Sequence, residues 1–224
     1  MTQPVRAAVF DAYGTLLDVH GAMQRHAALL PPDWERISAE WRTKQLEYTW
    51  IDTLTGHHRR DFWQVTQDAL AFVAARHSIT DPAVLDLLLD AYRRLPAYPD
   101  AAPALEALRV RGMQTAILSN GEPGMLQDAV TAGRLAPLLD AVLSVEDAGT
   151  YKPDRRVYGL AEDYFGLPAG QMAFVSSNAW DAQAAAAAGF QVFWCNRTSQ
   201  PDEYGLRATA TEMPGLSALP LLLA

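Results

Sequence analysis

The sequence predicts an α/β protein: a doubly wound, parallel-sheet, Rossmann-like core with an inserted helical cap. Short apolar runs recur along the chain, and helix-patterned stretches separate them. One such stretch, between the first two runs, is far too long for an ordinary crossover.

The first run, residues 5–10, stops at Asp11 with the turn-forming Gly14 close behind, so it reads as a buried strand followed by a loop. Residues 115–118 form a second run, ending at Ser119, Asn120 and Gly121. Residues 141–145, 172–176 and 191–195 are further runs, and residues 102–111 and 156–165 are helix-like spacers. The alanine run at 184–188 needs no explanation beyond alanine's helix propensity.

Residues 19–96 carry several helical patterns and no convincing strand. They are expected to form the cap, with residues 1–18 and 97–224 as the core and Tyr98, Pro99 and Asp100 marking the return. The aromatic and basic segment 41–50, with Phe62 and Trp63, is expected to line a cavity beneath the cap.

Composition narrows the function. A formal net charge of −8 over 224 residues disfavours non-specific binding to nucleic acid or an anionic membrane, because both need a basic surface. No apolar run reaches the roughly 20 residues of a membrane span, and residues 1–8 lead into a strand rather than a signal-peptide core. A cytoplasmic location is expected. Cys195 is the only cysteine, which excludes an internal disulfide and a cysteine-based zinc cluster, and a structural role is expected for it.

In a sheet of this kind, ligands sit outside the carboxyl ends of the strands. Asp11, Ser119, Lys152 and residues 176–181 are the candidates for that place. In the segment Phe10-Asp11-Ala12-Tyr13-Gly14-Thr15-Leu16, a carboxylate ends a strand and is followed by backbone amides and a hydroxyl that would orient it. Such a carboxylate can be a covalent nucleophile, although Asp-x-x-Gly-Thr equally suits a helix cap or tight turn. On a helix, Arg42, Gln45, Leu46 and Thr49 would share one face, expected to close over the site. His57, His58, Arg59 and Arg60 show no metal-ligand spacing and no identifiable carboxylate partner, and are expected in a solvated loop.

Asp11, Ser119, Lys152 and Asp181 occur in the order in which the haloacid dehalogenase-like superfamily places its nucleophile, Ser/Thr, Lys and acidic loop. The stretches FDAYGTL, WRTKQLEYTW, LSNG, YKPDRRVY and FVSSNAWD narrow the resemblance to the L-2-haloacid dehalogenases, across cap and core alike. Superfamily phosphatases usually carry a second Asp two residues after the nucleophile as general acid, where this chain has Tyr13. They also carry an acidic magnesium-holding residue where this chain has Ser177. Both departures suit halide displacement, since a halide departs without a proton and a monoanionic substrate needs no magnesium clamp.

The resemblance implies that Asp11 attacks C2 of a small anionic haloacid and that water cleaves the resulting ester at the Asp11 carbonyl, inverting C2 once. Arg42 and Asn120 would receive the halide. Tyr13, Leu46, Phe62 and Trp180 would form an apolar wall, and Thr43 stands where the family often has Gln. Ser119 and Lys152 would bind the substrate carboxylate, and Asn178 and Asp181 the hydrolytic water. Thr15, Ser176 and Lys152 would fix the Asp11 carboxylate, with Tyr158 supporting Asp11 or Lys152. The resemblance implies no metal and no cofactor, and it implies a homodimer. Three alternatives stay open: a fluoroacetate-preferring enzyme, a magnesium-dependent phosphatase, and a non-catalytic relative that binds a small carboxylate.

Overall fold

The computed structural model describes residues 3–56 and 60–223. Six parallel strands form one sheet in the order β3-β2-β1-β4-β5-β6: β1 Ala7–Phe10, β2 Gln114–Ser119, β3 Ala141–Ser144, β4 Met172–Ser176, β5 Gln191–Cys195 and β6 Ala210–Met213. This is the doubly wound order, and the chain reverses its direction of travel between the neighbours β1 and β4. Every residue of β1 and β4 is buried, as expected where helices cover both faces of a parallel sheet. Phe10 is level with Ile117 on one side and Val175 on the other, which brings Asp11 beside the ends of β2 and β4.

Five of the six strands fall on the apolar runs. The exception is β6, whose Ala-Thr-Glu-Met sequence has no apolar run because it is an edge strand with solvated side chains.

Between β1 and β2 lie α1 Gly21–Arg25, α2 Trp34–Thr55, α3 Phe62–Arg76 and α4 Pro82–Arg93, followed by α5 Ala101–Val110. Asp61 and Asp81 cap α3 and α4, accepting from the N–H groups of Gln64 and Ala83. The other helices are α6 Pro123–Ala132, α7 Arg155–Phe165, α8 Ala179–Ala188 and α9 Leu219–Leu222. No helix among the described residues is long and apolar enough to cross a membrane.

The helices α2, α3 and α4 lock through a buried polar chain. Trp41 Nε1 donates to the Thr66 carbonyl at 3.0 Å, Gln45 Nε2 to Thr66 Oγ1 at 2.9 Å, and the Tyr92 hydroxyl to Gln45 Oε1 at 3.1 Å. Because each buried group is satisfied, the chain stabilises one packing arrangement instead of penalising it.

This packing corrects the expectation for the helix face. Gln45 and Thr49 are fully buried with Trp41, whereas Arg42 and Leu46 look into a cleft. Trp41 is therefore a core residue rather than a cavity wall. Trp63 lies beneath the Arg93 guanidinium at 4.9 Å, half-buried.

Arg60 is also corrected. It pairs with Asp52 at 3.0 Å and Asp68 at 2.9 Å and stacks over Tyr48, so it is not solvated. His57, His58 and Arg59 lie outside the described residues.

Candidate active site

Asp11 follows β1 directly, and its N–H still donates to the Val175 carbonyl at 2.9 Å. Its side chain is almost buried and is gripped from three directions. Lys152 Nζ lies 3.2 Å from Oδ1; Thr15 Oγ1 lies 3.2 Å and Asn178 Nδ2 2.7 Å from Oδ2. Gly14 makes the Thr15 contact possible, because its φ of 92° turns the chain back through a conformation that L side chains rarely adopt. The Ser177 N–H donates to Thr15 Oγ1 at 2.8 Å, which leaves the hydroxyl proton directed at Asp11.

Asn178 occupies the N-cap position of α8, yet its side chain caps nothing. The amide turns instead to Asp11 and to the Tyr13 carbonyl at 3.1 Å. The Ser176 hydroxyl, at the end of β4, accepts from the Asn178 N–H at 3.1 Å and lies 3.2 Å from Asp181 Oδ2.

Lys152, only 1% exposed, bridges Asp11 and Asp181, with Asp181 Oδ2 at 2.8 Å. Its ammonium also sits 5.0 Å from the Phe174 ring centroid. The Tyr158 hydroxyl donates to Asp181 Oδ1 at 2.6 Å, and Tyr158 is held in place by Phe174 and Phe190. Burial alone would lower the Lys152 pKa, but the Asp181 and Asp11 carboxylates outweigh it and hold the group above the ordinary lysine value. Burial raises the Asp181 carboxyl above its ordinary value despite the opposing Lys152 charge. Burial, followed by the Asp181 charge, lifts the Tyr158 phenol well above its usual range.

A cleft of about 540 Å³ opens beside this cluster, with Arg42 and Leu46 of α2 facing Tyr13, Asn178 and Trp180. Tyr13 stacks on Tyr92 at 5.8 Å and packs against Phe62 at 5.7 Å. Phe62 is therefore not on the wall itself: fully buried, it supports Tyr13 from behind. Trp180 meets Trp50 edge-on at 5.7 Å.

Thr43 does not join the cleft. It is exposed, and its hydroxyl turns back to the Ala39 carbonyl at 2.9 Å, one helical turn away. Ser119 is buried at the end of β2, where its oxygen accepts from the Gly121 N–H at 3.1 Å. Lys152 Nζ donates to two carboxylates, Asp11 and Asp181. Asn120 Oδ1 accepts from the Lys152 backbone N–H at 3.0 Å, which turns the amide NH₂ the other way.

Two residues near the site escaped the sequence reading. Tyr92 stacks on Tyr13 and hydrogen-bonds Gln45, a partner far away in sequence that no local pattern reveals. Arg197 donates to the Thr15 carbonyl at 2.9 Å. Its position just after the carboxyl end of β5 was the available signal, since that is where ligand-facing residues gather.

Residues 5–189 match the haloacid dehalogenase-like hydrolase family. Over 221 residues the sequence is 46% identical to (S)-2-haloacid dehalogenase 1 of Pseudomonas sp. (strain CBS-3), covering 98% of this chain and 97% of that protein. A crystal structure described as a dehalogenase superposes with a TM-score of 0.96 at 45% identity, covering 100% of this chain and 99% of that one. The L-2-haloacid dehalogenase of Xanthobacter autotrophicus, solved with chloropropionic acid covalently bound, superposes with a TM-score of 0.89 at 36% identity, covering 98% of each chain. Motif order, the clustering of Asp11, Lys152 and Asp181 at the strand ends, and similarity over nearly the whole length converge: the chain belongs to the haloacid dehalogenase-like hydrolase family, in its (S)-2-haloacid dehalogenase branch.

Proposed function

We propose that the chain hydrolyses short L-2-haloacids to D-2-hydroxyacids and halide, with inversion at C2. The carrying observation is the Asp11 carboxylate, oriented by Lys152, Thr15 and Asn178, with Tyr13 and Ser177 standing where a phosphatase would place further carboxylates.

In the first step an Asp11 oxygen attacks C2 opposite the carbon–halogen bond, the halide leaves with the bonding pair, and an ester joins Asp11 to C2. Water then adds to the Asp11 carbonyl carbon and the acyl–oxygen bond breaks. The product departs with the former Asp11 oxygen as its hydroxyl, taking one proton from the water while the other passes to solvent.

Arg42 receives the departing halide, because its guanidinium is permanently charged and rich in donors, and the Asn120 amide assists. Ser119 holds the substrate carboxylate. Tyr13, Leu46 and Trp180 enclose the alkyl group, with Phe62 acting through Tyr13. Thr15 and Lys152 orient Asp11. Asn178 serves the hydrolytic water directly, and Asp181 serves it through Lys152, in a position fixed by Tyr158 and Ser176.

Neither step requires a metal or cofactor. Among the described residues, no group of three or more His, Cys, Asp or Glu is arranged to hold a metal ion.

Residues 19–96 act as the cap on a core of residues 1–18 and 97–224, supplying Val19, His20, Arg42 and Leu46 to a cleft whose remaining walls come from the core. Ile51 and Leu54 are exposed on α2, and their apolar surface suits a cytoplasmic homodimer; sedimentation showing only monomer at micromolar concentration would contradict it.

The test is to follow halide and phosphate release from L- and D-2-chloropropionate, fluoroacetate and a phosphate ester, with and without chelator. Chelator-resistant halide release favouring the L enantiomer is expected. Magnesium-dependent phosphate release would contradict the reading, and preference for fluoroacetate would revise the substrate.

A further inference from the structure

We propose that Arg197 and Asp100 form a clamp that positions Thr15 against Asp11, which makes Arg197 a positioning residue of the nucleophile loop. This rests on the reading of Asp11 as nucleophile.

Arg197 follows β5, Asp100 precedes α5, and Thr15 follows β1, so the clamp joins three separate parts of the chain. Arg197 Nη1 and Nη2 each lie 2.9 Å from a different Asp100 oxygen, the parallel two-bond geometry that fixes a guanidinium in orientation as well as position. Nη2 also donates to the Thr15 carbonyl at 2.9 Å. The guanidinium carbon rests 4.1 Å from the Tyr98 ring centroid, and the Tyr98 N–H donates to the Leu16 carbonyl at 2.9 Å, so the same unit holds two consecutive carbonyls of the loop.

Asp100 is held in turn from behind. The Leu216 N–H donates to its Oδ2 at 2.8 Å. A Cβ on Gly215 would stand 2.9 Å from that oxygen, so the segment approaches closely only because residue 215 is glycine. From Thr15 the path is short: its hydroxyl is 3.2 Å from Asp11 Oδ2. Loss of the clamp frees the Thr15 carbonyl and lets the hydroxyl drift from Asp11, and an ångström-scale misplacement can cost roughly 10²-fold in rate.

The test is a double-mutant cycle on halide release from L-2-chloropropionate, with thermal melting of every variant. Arg197→Ala should lower kcat roughly tenfold or more with KM nearly unchanged, and Arg197→Lys should recover part of the loss. In a Thr15→Ala background, Arg197→Ala should cost little more, because the two residues act in series. If Arg197→Ala does not fold, the cycle is run with Arg197→Lys, for which the same non-additivity is expected. Additive losses, or a kcat that follows melting temperature alone, would overturn the clamp while leaving the dehalogenase reading intact. No halide release from the unaltered protein would overturn both.

Discussion

Lys152 and Asp181 form an ion pair of 2.8 Å with the Asp181 side chain fully buried and that of Lys152 1% exposed. The same ammonium reaches Asp11 at 3.2 Å, so one cation serves two carboxylates. The arrangement holds Asp11, only 5% exposed, beside an internal counter-ion that solvent does not screen.

Replacing Lys152 with Met should therefore leave two neighbouring carboxylates without a cation. Breaking a buried pair in this way costs about 3–5 kcal/mol, and urea denaturation should show a loss of that size together with lost halide release. A change below about 1 kcal/mol, the scale of an exposed pair, would contradict the burial of the cluster.

Stability should also fall on the alkaline side. Lys152, Tyr13 and Tyr158 all have folded pKa values above their ordinary ones, Lys152 through its carboxylate partners and the tyrosines through burial. The unfolded chain then releases these protons first. Each contribution is fully present below the ordinary values of 10.5 for Lys and 10.0 for Tyr, and is lost as pH rises through the folded value. Denaturant midpoints should hold level from pH 8 to about 10 and decline above it, and Tyr158→Phe should flatten the decline. An unchanged slope in that variant would count against the shift.

Arg42 should act on the first chemical step. Loss of a donor that stabilises developing charge typically costs about 10²–10³-fold in kcat, and Arg42→Ala should slow single-turnover ester formation by that order. Arg42→Lys should restore only part of it, since an ammonium lacks the planar fork. Normal ester formation with slow hydrolysis would move Arg42 to the second step.

Much of this site was legible from local pattern. Asp11, Ser119 and Ser176 stand at or just past the ends of apolar runs, and in a doubly wound sheet such ends converge. Thr15 and Asn178 were legible because each lies within a few residues of a strand end. The helices between β1 and β2 were harder to read. Helical spacing put Arg42, Gln45, Leu46 and Thr49 together, but α2 has two neighbours, and periodicity does not say which residues meet α3 and which meet the cleft.

Long-range partners were the least visible. Tyr92 pairs with Gln45, 47 residues away, and Arg60 with Asp52 and Asp68, eight residues to either side, a spacing beyond the i,i+3 and i,i+4 contacts of a helix. The edge strand β6 escaped because solvent on its outer side removes the apolar run that marks a central strand.

The most direct test of the covalent route is a single turnover in ¹⁸O-labelled water with enzyme in excess over L-2-chloropropionate, followed by mass analysis of the peptide containing Asp11 and of the product. Label is expected in the Asp11 carboxylate and none in the product hydroxyl. Label in the product with none on the protein would mean that water attacks C2 directly, and would contradict the Asp11 ester.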